Sequence, residues 1–402
     1  MSNAATNEPT EVSDLDLFAP DIVADPFPTL DRLRELSPAV HLSRYDFWVL
    51  TRYDDVRAAA RDWQTFSSAE GVALTPEFNE RLAGSILSAD PPEHEQLRAV
   101  LREKLAPRGL SAVREQIRSY ADRLVDGLVE RRTFDGVADL AAVYPINVVA
   151  DLVGLPLEGR EKLHPGADAI FAAFGPFGSY AQEHLDALIS YQVWMEAMTD
   201  RAKIAPGGWG ETILDAVDDG RLNRLSAVKA MSAYMTAGMD TTVNAVSAML
   251  RLFAERPDVW AELKDEPTLA GPIFEEILRL ESPVQGFWRV TRRDAEVDGV
   301  AIPAGRRVML HWAAANRDPR HYPRPTEFEL RRNPVDHLAF GYGIHGCAGQ
   351  GLARLEAAEL LASLLERVDR FELAGDVERR GNPIVRSLRS IPLRVVPTGA
   401  RP

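Results

Sequence analysis

The sequence predicts a mainly α protein with a small β region, and three observations carry that expectation. Apolar residues recur at helical spacing through most of the chain, runs rich in β-branched and aromatic residues are few and short, and no repeat divides the sequence. With 402 residues, 46% of them apolar and 26% charged, the chain has the composition of a globule large enough to enclose a sizeable group. No Ser/Gly-rich or Pro-rich linker interrupts it, so residues 25–402 are expected to form a single domain, despite a usual size of roughly 150 residues per domain. Residues 1–24 are polar and acidic, with neither a basic flank nor an apolar core, and are expected to be a flexible lead with no signal or anchor.

Taken in order, helical periodicity predicts helices over Thr29–Glu35, His94–Leu105, Leu110–Arg131, Pro145–Val153 and His184–Lys203. It continues through Arg224–Glu255, the longest stretch, then Pro257–Asp265, Gly271–Leu280 and Gln350–Val368. Strand-like runs fall at Ala39–His41, Phe47–Leu50, Trp288–Val290, Val297–Val300 and Arg307–Leu310. Asp298-Gly299 and Pro303-Ala304-Gly305 supply the turn residues between the last of these.

Charge and composition exclude some classes. A formal charge of −14 opposes nucleic acid, whose phosphates need a basic surface. No window approaches the roughly 20 uninterrupted apolar residues of a membrane span, so no membrane role is expected. A lone cysteine, Cys347, forms no intramolecular disulfide and suits a reducing cytoplasm. No Gly-x-Gly-x-x-Gly turn joins a strand to a helix, so no flavin or nicotinamide module is expected.

Cys347 lies in Phe340-Gly341-Tyr342-Gly343-Ile344-His345-Gly346-Cys347-Ala348-Gly349-Gln350-Gly351-Leu352-Ala353, at the start of a predicted helix. Unpaired N–H donors and the positive dipole end there stabilise a thiolate, and the glycines let backbone approach the sulfur. Such a thiolate is suited to ligating a haem iron from one side. The spelling Phe-Gly-x-Gly-x-His-x-Cys-x-Gly-x-x-Leu-Ala resembles the haem-binding signature of the cytochrome P-450 monooxygenases, bacterial soluble type, with every fixed position filled. The resemblance implies the cytochrome P-450 fold, with haem b (iron protoporphyrin IX) buried between the long central helix and the cysteine loop. It also implies Cys347 as the metal ligand, and Phe340 and Gly349 as part of the loop around the cofactor.

Other segments fit that resemblance. Glu276-Ile277-Leu278-Arg279 puts a carboxylate and a guanidinium on one helix face, matching the family helix that locks the cysteine loop. Where many members add an arginine before a later phenylalanine, this chain has Glu327-Phe328, so Arg320 or Arg324 is expected to complete the network. Ala237-Gly238-Met239-Asp240-Thr241-Thr242 interrupts a long helix with poor helix formers. A bend made by threonine hydroxyls bonding back to carbonyls accounts for it structurally. The resemblance instead implies the oxygen-activating segment, with Asp240 relaying protons and Thr241 donating a hydrogen bond on the distal side. His94 and Arg98, four apart on one helix face, with Arg289 and His345, are at the family's propionate-clamping positions.

For the substrate, FAAFGP (Phe171–Pro176), APGGWG (Ala205–Gly210), AGMDTTVN (Ala237–Asn244) and ESPVQGFWR (Glu281–Arg289) resemble a bacterial subgroup that removes the methyl group from para-methoxybenzoate-type aromatic acids. Phe171, Phe174, Val284 and Phe287 are expected to form an aromatic slot beside Ala237. Arg81, in ERLAGSILSADPP, is at the subgroup's carboxylate-binding arginine; Thr236 keeps a subgroup hydroxyl, and Ser85 stands next to Gly84 where another serine is expected. Ser232 and Ala233 replace an arginine and a serine, so the carboxylate site departs from the subgroup pattern. A ferredoxin with its ferredoxin reductase is the expected partner, with NAD(P)H used only indirectly, and Arg98, Arg102, Lys104 and Arg354 are the expected docking cations. Hydroxylation of a terpenoid, fatty acid or macrolide, or a non-catalytic haem-thiolate sensor, are the competing readings.

Overall fold

A computed structural model describes residues 11–399. Helices hold 55% of the chain and strands 13%, the mainly α arrangement the periodicity predicts. The long helix Arg224–Glu255 runs through the middle, started by Asn223, whose side-chain oxygen accepts the Ser226 N–H at 2.8 Å. Its buried face packs against the helices Val143–Val153, Leu163–Phe174 and Ala270–Glu281. Gln350–Arg367, beginning just after the cysteine, packs along Pro107–Arg131. The stretch Gly136–Val153 is apolar enough to cross a membrane by composition, with mean hydropathy 1.5, but 67% of it is buried in this core.

The β region is a six-stranded sheet in the order Val12–Ser13, Ala39–Leu42, Phe47–Leu50, Arg307–Leu310, Phe287–Thr291, Phe66–Ser67. In it Phe287 opposes Leu310 and Arg289 opposes Val308 in an antiparallel pair. Phe287 and Arg289, two apart, therefore share one face of their strand while Trp288, fully buried, points to the other. A three-stranded sheet (Val368–Leu373, Pro392–Pro397, Thr133–Asp135) and two hairpins complete the β structure.

Several expectations are corrected. Residues 1–10 of the expected flexible lead lie outside the described residues, but residues 11–24 are docked. Val12 and Ser13 pair parallel with Ala39–Leu42, Leu17 is buried, and Pro20–Ala24 is helical. The expected strand Val297–Val300 is a hairpin instead, its two middle residues forming the turn between Ala295–Val297 and Val300–Ile302. Asp298 and Gly299 both take positive φ there, which the β-branched residues on either side do not favour. Periodicity also missed the helices Tyr53–Arg61, Pro76–Leu82, Leu163–Phe174 and Trp209–Asp218. Leu163–Phe174 escaped because it is buried nearly all round and shows no polar face to set a period.

The helix Ala270–Glu281 carries the central polar lock. Glu276 and Arg279 are fully buried and pair through two hydrogen bonds of 2.7 and 2.8 Å. Arg279 also donates to the carbonyls of Asn316, Pro325 and Glu327, so its donors are widely used. The third partner is neither Arg320 nor Arg324, which pair with Glu35 and Glu329. It is Arg332, whose Nε donates to Glu276 at 3.0 Å, while the Glu329 N–H donates to the same oxygen at 3.1 Å. The meander turns back between Glu327 and Arg332, which brings the later arginine to the carboxylate. Arg332→Ala is expected to lower stability by about 1–3 kcal/mol because it removes a hydrogen bond from a buried carboxylate. Arg324→Ala, which breaks exposed pairs with Glu327 and Glu329, is expected to cost under about 1 kcal/mol; urea unfolding midpoints measure both.

Candidate active site

The cysteine loop is held by short contacts at each step. The Cys347 N–H donates to the Phe340 carbonyl at 2.8 Å, and Arg98 Nη1 donates to the Ile344 carbonyl at 2.9 Å. Gly343 has φ +71°, and a Cβ there would sit 2.4 Å from the Ala60 carbonyl, so only glycine allows the loop to lie against the helix Tyr53–Arg61. His337 and Arg354 both bind Glu275, at 3.0 and 2.6 Å, which ties the start of the loop and the helix after it to one carboxylate. Glu275 and its neighbour Glu276 thus fasten one helix to the cysteine loop and to the meander.

These elements and the long helix enclose a cavity of about 500 Å³. Its wall includes Cys347, Phe340, Gly349, His94, Arg98, Arg289 and His345, and from the long helix Thr236, Ala237 and Thr241. Arg81, Ser85, Phe171, Phe174, Val284 and Phe287 line it too. Every site residue expected from the sequence therefore meets in one cavity except Asp240, which is buried behind the helix wall. The Asp240 carboxylate lies 3.3 Å from His164 Nε2 and accepts from Asn244 Nδ2 at 3.4 Å. Thr241 Oγ1 donates to the Ala237 carbonyl at 2.7 Å and Thr242 Oγ1 to that of Gly238 at 3.2 Å. Both threonines bond back one turn, and the helix stays continuous through all 32 residues.

The basic groups on one side of the cavity test the fit of a haem. Both ring nitrogens of His94, and Nε2 of His345, are buried without a hydrogen-bond partner among the described residues. Burial depresses the His94 imidazole, aided by the Arg98 charge; burial also pushes His345 down to about 4 and Arg289 to about 10. Buried donors without partners cost about 1–3 kcal/mol each unless something accepts from them. A planar group bearing two carboxylates fits that need and adds negative charge to that of Asp90, which lies 4.0 Å from His345 Nε2. Burial raises the Cys347 thiol, against the N–H groups of Gly349 and Gln350 and the charges of Arg98 and Arg354. A metal ion displaces such a proton directly.

The family model described as Cytochrome P450 matches residues 211–387. Cytochrome P450 CYP199A2 of Rhodopseudomonas palustris is 39% identical over 387 residues, 95% of this chain and 94% of that protein. The chain belongs to the cytochrome P450 family. The solved structure of the myxobacterial CYP267B1 with myristic acid has a TM-score of 0.84 at 31% identity, covering 94% of this chain and 98% of that one. The P450 CREJ with (4-ethylphenyl) dihydrogen phosphate has a TM-score of 0.84 at 26% identity, covering 98% and 100%. As a cytochrome P450 this protein is a haem-thiolate monooxygenase that uses haem b, and the P450 fold expected from the cysteine signature is the one found.

Several residues of this P450 site escaped sequence reasoning. Phe78 packs edge-on against Phe174 with ring centres 5.2 Å apart, and Phe174 lies 5.0 Å from Phe287. The Tyr191 hydroxyl meets Thr236 Oγ1 at 3.0 Å. Glu356 is fully buried on the cavity wall with neither oxygen partnered among the described residues, and burial alone holds its carboxyl far above the usual range. His164, Lys229 and Glu275 belong with them. None stands in a local pattern, because each comes from a different helix; Phe78, Lys229 and Glu356 reach the cavity wall, while Tyr191, His164 and Glu275 back residues of the site from behind it.

Burial opposes ionisation of Glu275, but hydrogen bonds from His337 and Arg354 win and hold its carboxyl at about 2. Its folded pKa lies below the unfolded value of 4.5, so the stabilisation is present above that value and lost as pH falls toward 2. Glu275→Gln is expected to lower stability by about 2–3 kcal/mol at neutral pH and to flatten the acid limb of a stability–pH curve. Denaturant midpoints from pH 7 downward, compared with the parent protein, test it.

Proposed function

We propose that this cytochrome P450 oxidises a para-substituted aromatic acid, with 4-methoxybenzoate as the test substrate, by hydroxylating the methoxy carbon. The resulting hemiacetal releases formaldehyde and leaves the phenol. The observation that carries the reading is the chemistry of the cavity wall. Phe78, Phe171, Phe174 and Phe287 form an aromatic slot, and Arg81, with no ion-pair partner among the described residues, marks one cationic wall position. A flat ring gains from face and edge contacts in such a slot, and its carboxylate gains a charge-assisted hydrogen bond from Arg81. Thr236 and Ser85 add hydroxyl donors. The structure of CREJ with a para-alkyl aryl phosphate gives a related P450 holding an aryl anion of similar shape. Hydroxylation of a terpenoid, fatty acid or macrolide is the competing reading, and CYP267B1 with myristic acid is a neighbour on that side.

Haem bound through the Cys347 thiolate supplies dioxygen activation and transfer of one oxygen atom. His94, Arg98, Arg289 and His345 would hold its carboxylates, and Phe340 and Gly349 would shape the loop around it. Asp240 moves protons from the His164 side of the long helix, and Thr241 Oγ1 offers a hydroxyl on the cavity side to deliver them. Phe171, Phe174, Val284 and Phe287 exclude water from the reacting carbon. Electrons arrive from a cytoplasmic ferredoxin and ferredoxin reductase. Of the expected docking cations, Arg98 and Arg354 are committed to the Ile344 carbonyl and to Glu275. That leaves exposed Arg102 and partly exposed Lys104 to meet an acidic partner.

Titration of the ferric holoprotein with 4-methoxybenzoate is expected to shift the Soret band to its high-spin position; a response to a terpene and none to the acid overturns the reading. Thr241→Ala is expected to keep consuming NADH while diverting much of the flux to hydrogen peroxide. Product formed per NADH, measured beside peroxide release, decides it, and unchanged coupling removes Thr241 from proton delivery.

A further inference from the structure

Lys229 lies on the long helix, on the cavity wall, seven residues before Thr236. Lys229, Ser232 and Thr236 recur at helical spacing and all line the cavity, so the helix presents an ammonium and two hydroxyls along one stripe. The ammonium donates to the Ala83 carbonyl, at the C-terminal end of the helix Pro76–Leu82. Arg81 sits in the last turn of that helix, two residues from the carbonyl that Lys229 grips. Two cations from different elements thus converge on one short segment of the wall.

Neither has a carboxylate partner among the described residues. Two acidic side chains line the cavity: Glu196, which is exposed, and Glu356, which is buried on the helix that follows the cysteine. Neither pairs with Arg81 or Lys229. Burial disfavours the Lys229 ammonium, and the nearby Glu93 charge opposes this only in part. Two cations without ion-pair partners among the described residues, Arg81 exposed and Lys229 half-buried, stand on an otherwise largely apolar wall, an arrangement that an anion completes.

We propose that Lys229 is a second anchor for the acid group of the substrate, acting with Arg81 so that the carboxylate bridges the long helix and the segment Arg81–Ser85. The inference rests on the aromatic-acid reading and gives it a specificity determinant.

The test compares 4-methoxybenzoate with its methyl ester, which keeps the ring and the methoxy group and lacks the charge. Both are titrated into ferric holoprotein by calorimetry and by the Soret shift, using the parent, Lys229→Met, Lys229→Arg and Arg81→Leu. Lys229→Met is expected to weaken the acid at least about tenfold, the equivalent of about 1.4 kcal/mol, and to leave the ester unchanged; Lys229→Arg restores the acid. Equal weakening of acid and ester shows a strap that only holds the loop and overturns the proposal, as does an unchanged acid affinity in Lys229→Met. If Arg81→Leu still loses the acid selectively, that failure belongs to Lys229 alone. A parent protein that binds neither aryl ligand sinks the aromatic-acid reading and this inference together.

Discussion

The rest of the structure depends on one buried ion pair, Glu276 with Arg279, on the helix Ala270–Glu281. Two charges removed from water are tolerable only when nearly every lone pair and proton is used, and here the guanidinium takes the carboxylate and three main-chain carbonyls. That requirement positions the chain from Asn316 to Arg332, which has little regular structure of its own. The preceding residue, turned to a different face of the same helix, serves the cysteine side: Glu275 holds His337 and Arg354, on either side of the cysteine in sequence. A ligand sulfur must be placed to within a fraction of an ångström, and a glycine-rich loop cannot do that alone. The helix supplies the stiffness, and its paired carboxylates transmit it.

The cavity divides by chemistry. Basic groups with unsatisfied donors gather near the cysteine loop, aromatic rings line the middle, and two further cations lie where the segment Arg81–Ser85 meets the long helix. The sheet contributes to two of these regions at once, since a single strand carries Phe287 and Arg289 on the same face. The long helix likewise presents Lys229, Thr236, Ala237 and Thr241 to the cavity, while Asp240 points away to His164. Asp240 and Thr241 are neighbours in sequence, and the helix sends the hydroxyl to the cavity and the carboxylate to the buried side against His164.

The legible part of this protein was the part written in contiguous residues. Cys347 with its glycines and His345, the Asp240-Thr241 pair, and Glu276 with Arg279 each lie within one turn or one loop, so spacing along the chain is spacing in space. The same holds for the long helix, whose start and end match the predicted bounds at both ends. The failures had separate causes: Leu163–Phe174 was missed because a helix buried on nearly all sides carries no period, and the lead from residue 11 to 24 was misjudged because a two-residue strand has too little pattern to see.

By itself, then, the sequence determined the helical class and the place of the cysteine loop at a helix start, because local geometry dictates both, while the acid–alcohol pair was legible only through its resemblance to the family. Only the tertiary structure decided that Arg332 completes the buried network, that His164 backs Asp240, and that Lys229 reaches the Ala83 carbonyl. Those pairings join residues 56, 76 and 146 positions apart in the chain. Their partners are chosen by how helices pack across the core, which no short stretch of sequence encodes.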